Sequence, residues 1–145
     1  MDRPGAIGKI AKFDMILAMR INVLALDGVF DTGLATVLDA FQTANELAEL
    51  SGLTSPRFDV AIVGVRKSVR TSQGLGVPVT AASTRSAPDW VVVPAIGFKM
   101  PGPLQAALAR PDVRDAGTVL QAWARRGATM AAACIGTFVM AESGL

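Results

Sequence analysis

The sequence predicts an α/β domain built on a doubly wound, mostly parallel sheet with helices on both faces. Three observations point there. Continuous apolar runs such as Asp89–Val93 and Ala128–Ala133 suit strands covered on both faces, the usual condition of a parallel sheet. These runs alternate with segments of helical period. The chain also closes on a strand, a sharp turn at its only cysteine, Cys134, and a short helix, a unit that sets a side chain at the carboxyl edge of such a sheet.

Taken in order, residues 1–19 carry Pro4, Gly5 and Gly8 without a clear period and read as an extension, with Met19 a possible natural start. Ile21–Leu26 is the first strand, ended by Asp27-Gly28. Leu34–Leu50 is the strongest helix, with Leu34, Val37, Leu38, Phe41, Leu47 and Ala48 on one face, Asp31 or Thr32 at its cap and Gly52 at its stop. Phe58–Gly64 is the second strand after a turn-rich loop over Ser51–Arg57. Val69, Thr71, Val77 and Val79 alternate around Ser72–Gly76 and predict short strands or a hairpin leaving the sheet. Its glycines follow no strand-to-helix phosphate pattern, which excludes a nucleotide site. After the strand ending at Val93, Leu104–Ala109 is a short helix. Asp112 caps another, with Val113, Ala116, Leu120 and Trp123 on one face, Arg125 and Arg126 in its last turn and Gly127 beyond. Trp90 and Trp123 both read as core. Thr137–Glu142 forms the closing helix, with Gly144 past its end.

Composition narrows the function. A chain of 145 residues that is 51% apolar holds one domain with a real core. A net charge of +2, with lysines and arginines spread out apart from Arg125-Arg126, argues against nucleic-acid binding by this segment. One cysteine excludes an intramolecular disulfide framework and fits a reducing cytoplasm. No apolar run has membrane-spanning length, and Met15–Met19, preceded by Asp14, is too short for a signal-peptide core; the expectation is a cytoplasmic protein. The absence of histidine removes Ser-His and Cys-His pairs and most zinc sites, so neither a metal nor a cofactor is expected.

In doubly wound sheets ligands bind beyond the carboxyl ends of the strands. Three loops meet that description: Asp27–Gly33, Pro94–Gly102 and Cys134–Gly136. Cys134 is the main candidate, exposed by the turn and flanked by the amides of Ile135 and Gly136; the plain alternative is a small buried apolar residue. Ile96 and Gly97 offer either a backbone-amide pocket facing Cys134 or an ordinary glycine loop. Asp31 is either a helix cap or an acid partner for Cys134. A parallel sheet ordinarily continues past such a closing helix, so a longer protein is expected.

The run Ala132-Ala-Cys-Ile-Gly-Thr-Phe138, followed by Met140–Leu145, resembles the cysteine elbow of the DJ-1/PfpI superfamily. The likeness extends through Ile21–Leu26, Leu38–Phe41 and Trp90–Pro94, over most of residues 20–145. Within that superfamily it is nearest the amidotransferase-like N-terminal domain of AraC-type transcriptional regulators of the GlxA kind. The resemblance implies a flavodoxin-like, class I glutamine amidotransferase-like sandwich that senses a small-molecule effector and forms a homodimer. DNA binding then belongs to a helix-turn-helix domain outside this chain. Hydrolytic members carry a histidine after the cysteine, where this chain has Ile135. Redox-active members place an acid at the position that is Gly33 here, two residues past Asp31. The usual glycine pair after the strand-ending proline is replaced by Ala95-Ile96. These departures favour a non-catalytic ligand site over Cys134, Ile135, Gly136, Ile96, Gly97, Asp31 and Gly33. The alternatives are a stand-alone cysteine enzyme of hydrolase or hydratase type and a redox sensor oxidised at Cys134.

Overall fold

A computed structural model describes residues 18–54 and 57–145. The expected N-terminal extension, up to residue 17, and residues 55–56 of the expected Ser51–Arg57 loop lie outside the described residues. The elements are β1 (Met19–Leu24), α1 (Asp31–Leu50), β2 (Phe58–Gly64), β3 (Val69–Arg70), β4 (Gly76–Val77), β5 (Thr80–Ala81), β6 (Trp90–Val93), α2 (Pro101–Leu108), α3 (Pro111–Arg125), β7 (Thr129–Ala132) and α4 (Gly136–Glu142).

Five strands form a parallel sheet in the order β5-β2-β1-β6-β7. The chain moves outward from β1 to one side and then returns to the other. That reversal makes the fold doubly wound and opens a crevice beyond the carboxyl ends of β1 and β6. The expected fold class is borne out. Alternate strand residues supply two cores. Leu24, Val63, Val91 and Val93 pack with Ala107 of α2, Val113, Ala116, Leu120 and Trp123 of α3, and Val139 of α4. Ile21, Val23 and Val92 face the other way, toward Leu34 of α1 and Val69 of β3.

β3 and β4 pair antiparallel, with Val69 opposite Val77, as the hairpin reading expected. β5 was not foreseen: two residues, Thr80 and Ala81, pair parallel to Val63 and Gly64 and form one edge of the sheet. A strand of two exposed residues carries no apolar period.

Other differences have local causes. α1 begins at Asp31, not Leu34; Phe30 occupies the cap position, without a side-chain cap bond. Asp112 is not a cap either. α3 begins at Pro111 and α2 at Pro101, where the fixed φ of proline suits the first helical position. Asp112 instead takes two bonds from the Arg110 guanidinium, 2.9 Å from Nε and 2.7 Å from Nη2. Leu47 leaves the apolar face of α1 and is 56% exposed. Trp123 is fully buried, and its indole N–H donates to the carbonyls of Ser83 and Ser86. Trp90, expected in the core, is 39% exposed. By alternation with Val91 it faces the side where α1 packs mainly over β2, so its apolar neighbourhood in sequence does not bury it.

Candidate functional site

The elbow is built by two constraints. β7 runs alongside β6, with Ala132 opposite Val93, and the Ala133 amide donates to the Val93 carbonyl. The chain must then turn at once into α4, which packs on β6, α2 and α3. It does so at Cys134, whose φ of +53° makes it the one non-glycine residue in the left-handed region among the described residues. Such a conformation in an L-residue costs on the order of 1–2 kcal/mol and persists only where the surroundings impose it. Gly136 is part of that imposition. A Cβ there would lie 2.2 Å from the Val93 carbonyl oxygen and 2.7 Å from that of Pro94.

Cys134 is free and exposed, as the elbow reading expected and contrary to a buried apolar role. The Gly136, Thr137 and Phe138 amides donate to the carbonyls of Ala133, Cys134 and Ile135, closing the turn on itself. The Cys134 and Ile135 amides make no hydrogen bond among the described residues and are the elbow donors left without a protein acceptor. The Ile135 side chain is half-buried and packs against the α2–α3–α4 core, beside the cysteine where a histidine would offer a base.

Gly33 lies within reach of Ala95 and Phe30: a Cβ on it would meet Phe30 Cδ1 at 3.4 Å and Ala95 Cβ at 3.8 Å. No acid stands there. Asp31 does not replace it. Its Oδ2 accepts from Ser72 Oγ at 2.8 Å and from the Gln73 amide at 3.2 Å. The Thr71 hydroxyl foremost, then Ser72 and the amides of Asp31 and Gln73, hold its carboxyl below the usual 3.8 against an opposing effect of desolvation. Oδ1 is buried without a hydrogen-bond partner of ordinary geometry. Asp31 is thus neither the helix cap nor an acid bonded to Cys134; it latches the β3–β4 hairpin onto the first loop.

The Ile96–Gly97 loop is also part of that latch. Val29 bridges to both Thr71 and Ile96. The Gly97 amide donates to the Gly28 carbonyl at 2.7 Å, which removes it as a free donor facing Cys134. A Cβ on Gly97 would fall 2.3 Å from Ser72 Cβ, so the hairpin tip sits directly on this glycine. Ile96 itself is 1% exposed. Of the expected site, Cys134, Ile135 and Gly136 form one turn against Val93-Pro94, while Gly33 packs on Phe30 and on Ala95, the residue after Pro94. Asp31, Ile96 and Gly97 belong to a separate lock with the hairpin tip.

Sequence reading missed the hairpin's part in this arrangement. Asp31 and Ser72 are 41 positions apart, and no periodicity joins them. It also missed a cleft of about 660 Å³ lined by Asp27, Arg66, Ser68, Arg70, Arg110, Pro111 and Asp112. Among the described residues no group of three or more Cys, Asp and Glu side chains is placed to hold a metal ion. No described helix is long and apolar enough to cross a membrane.

No family model matches the chain, and no curated protein matches it. Solved structures do match. A Vibrio parahaemolyticus protein described as a transcriptional regulator superposes with a TM-score of 0.65 at 22% identity, covering 88% of this chain and 62% of the other. An AraC family transcriptional regulator from Pseudomonas putida gives 0.66 at 20% identity, covering 86% and 60%. A Bacteroides thetaiotaomicron protein described as protease I gives 0.60 at 21% identity, covering 88% and 69%. The fold is therefore one that these two regulators and the protein described as protease I share, in line with the resemblance carried by the elbow. The chain spans 62% and 60% of the lengths of the two regulators.

Proposed function

We propose that this chain is the ligand-sensing, dimer-forming N-terminal domain of an AraC-type DNA-binding transcriptional regulator. A small molecule lies at the elbow, touching Cys134 and the open Ile135 amide, beside Gly33 and Pro94-Ala95. The domain is non-catalytic and works in the cytoplasm.

The observation that carries this reading is an exposed cysteine held at φ +53° with no base or acid bonded to it among the described residues. The strain marks the turn as kept for a purpose beyond packing. Yet the chain contains no histidine, and the acid expected to partner Cys134, Asp31, is latched to the hairpin. A nucleophile without a proton acceptor is poorly equipped for acyl transfer, whereas a shaped rim with an open amide suits binding. The fold shared with the two regulators agrees with this assignment. Differential affinity of the effector for two arrangements of the domain pair then biases the attached DNA-reading part. A dimer suits a two-fold operator.

Translation of the reading frame beyond Leu145 tests the proposal. A helix-turn-helix segment is expected; an in-frame stop, or a continuation without such a segment, sinks the regulator reading. The strained, exposed thiol also supports a second reading, a cysteine enzyme or redox sensor acting through Cys134. Mild peroxide followed by intact-mass analysis separates the redox form: added oxygen at Cys134 supports it and an unchanged mass removes it.

A further inference from the structure

Four cations that are scattered in sequence meet at one place in the fold. Arg66, Lys67 and Arg70 lie between the end of β2 and the end of β3, and Arg110 precedes α3. Arg66, Arg70 and Arg110, with Ser68, line the cleft beyond the carboxyl ends of β1 and β2, and Lys67 lies on its rim, lining the two neighbouring clefts.

The charges around this cleft are not equally occupied. The Arg110 guanidinium is largely committed: three of its five N–H groups are used, two forking onto Asp112 and one donating to the Asp27 carbonyl at 2.8 Å. It forms the wall and neutralises Asp112. Arg66 pairs with Asp115 at 2.7 Å, but both side chains are about half exposed, so the pair is weakly held and exchangeable. Arg70 has a single carbonyl partner, Gly74, and no carboxylate partner among the described residues. Lys67 has none either. Among the described residues lining the cleft, the one carboxylate without an ion-pair partner is Asp27, whose Oδ1 accepts from the Arg70 amide.

We propose that this cleft is a binding site for a small ligand bearing two or more oxyanion groups, phosphate or carboxylate. Arg70 and Arg66 supply the planar forks that match such groups, with the Ser68 hydroxyl and Lys67 as further donors. The cleft volume of about 660 Å³ suits a metabolite-sized molecule. No residue lining it belongs to the Cys134 turn, so the site is separate from the one proposed for the effector, and failure of either leaves the other standing.

Calorimetric titration of the full chain with inorganic pyrophosphate and, separately, with citrate tests the proposal. Binding of pyrophosphate alone assigns a phosphoryl ligand, and binding of citrate alone a polycarboxylate. Arg70→Gln is expected to weaken binding about 10-fold or more, and Arg70→Lys by less, because charge is kept while the fork is lost. Asp27→Asn is expected to tighten it several-fold, and Cys134→Ser to leave it unchanged. Raising salt from about 0.05 to 0.3 M is expected to weaken binding strongly. Absence of heat with both probes at about 5 mM, well above ordinary metabolite affinities, overturns the proposal. So does undiminished binding by Arg66→Gln and Arg70→Gln variants whose circular dichroism matches wild type.

Discussion

Replacing Gly136 by alanine tests the elbow through its tightest contact. The added Cβ falls 2.2 Å from the Val93 carbonyl oxygen, 2.7 Å from that of Pro94 and 2.9 Å from the Pro94 carbonyl carbon. All three atoms are backbone of the inner strand β6 and the residue after it, so no side-chain rotation relieves the overlap. An ordinary contact requires the elbow and β6 to separate by about 1 Å, which disrupts packing on both sides. Overpacking of this kind costs about 3 kcal/mol. For a domain of this size that corresponds to a fall in Tm of about 10 °C. Thermal unfolding followed by far-UV circular dichroism measures it. Gly102→Ala is the control: it lies in α2 with nothing within 4 Å of the new Cβ, so Tm is expected to hold or rise. A Gly136→Ala protein melting within about 2 °C of wild type refutes the elbow geometry.

Further expectations follow from the same structure. Cys134→Gly is expected to be more stable than Cys134→Ala by about 1 kcal/mol in urea titration, because only glycine relieves the positive φ. Asp31→Asn is expected to lower Tm at neutral pH. The Asp31 carboxyl is held below 3.8 in the folded state, so its contribution is present above that value and is lost as pH falls through the lower folded value. The difference between variant and wild type therefore shrinks in acid; a constant difference contradicts the latch. Gly97→Ala is expected to destabilise through its overlap with Ser72, and Ser72→Gly to rescue much of that loss in a double-mutant cycle. Trp123→Ala is expected to cost about 3–5 kcal/mol, far more than Trp90→Ala, in chemical denaturation.

The layer structure was legible because parallel strands buried on both faces leave continuous apolar runs, and Val91–Val93 and Val23–Leu26 do so. The helix stops at Gly52, Gly127 and Gly144 were legible for a local reason: all three have positive φ, which glycine alone adopts cheaply. Trp90 misled because an apolar run identifies a strand without saying whether a helix reaches that end of it. The exposure of Cys134 followed from its place between a strand and a helix. The fate of Asp31 was hidden because its partner, the hairpin tip, arrives from 41 residues away. Arg66, Arg70 and Arg110 look dispersed along the chain and converge only when the β1 and β2 loops meet the start of α3.

Binding without turnover at the elbow is tested by screening small metabolites for a rise in Tm and then measuring alkylation of Cys134 with and without each stabilising compound. The expected result is a compound that raises Tm, slows modification of Cys134 and is recovered chemically unchanged. A ligand site at the elbow is ruled out if every stabilising compound leaves Cys134 as accessible as before, and a non-catalytic one if a bound compound is turned over in a reaction that Cys134→Ser abolishes.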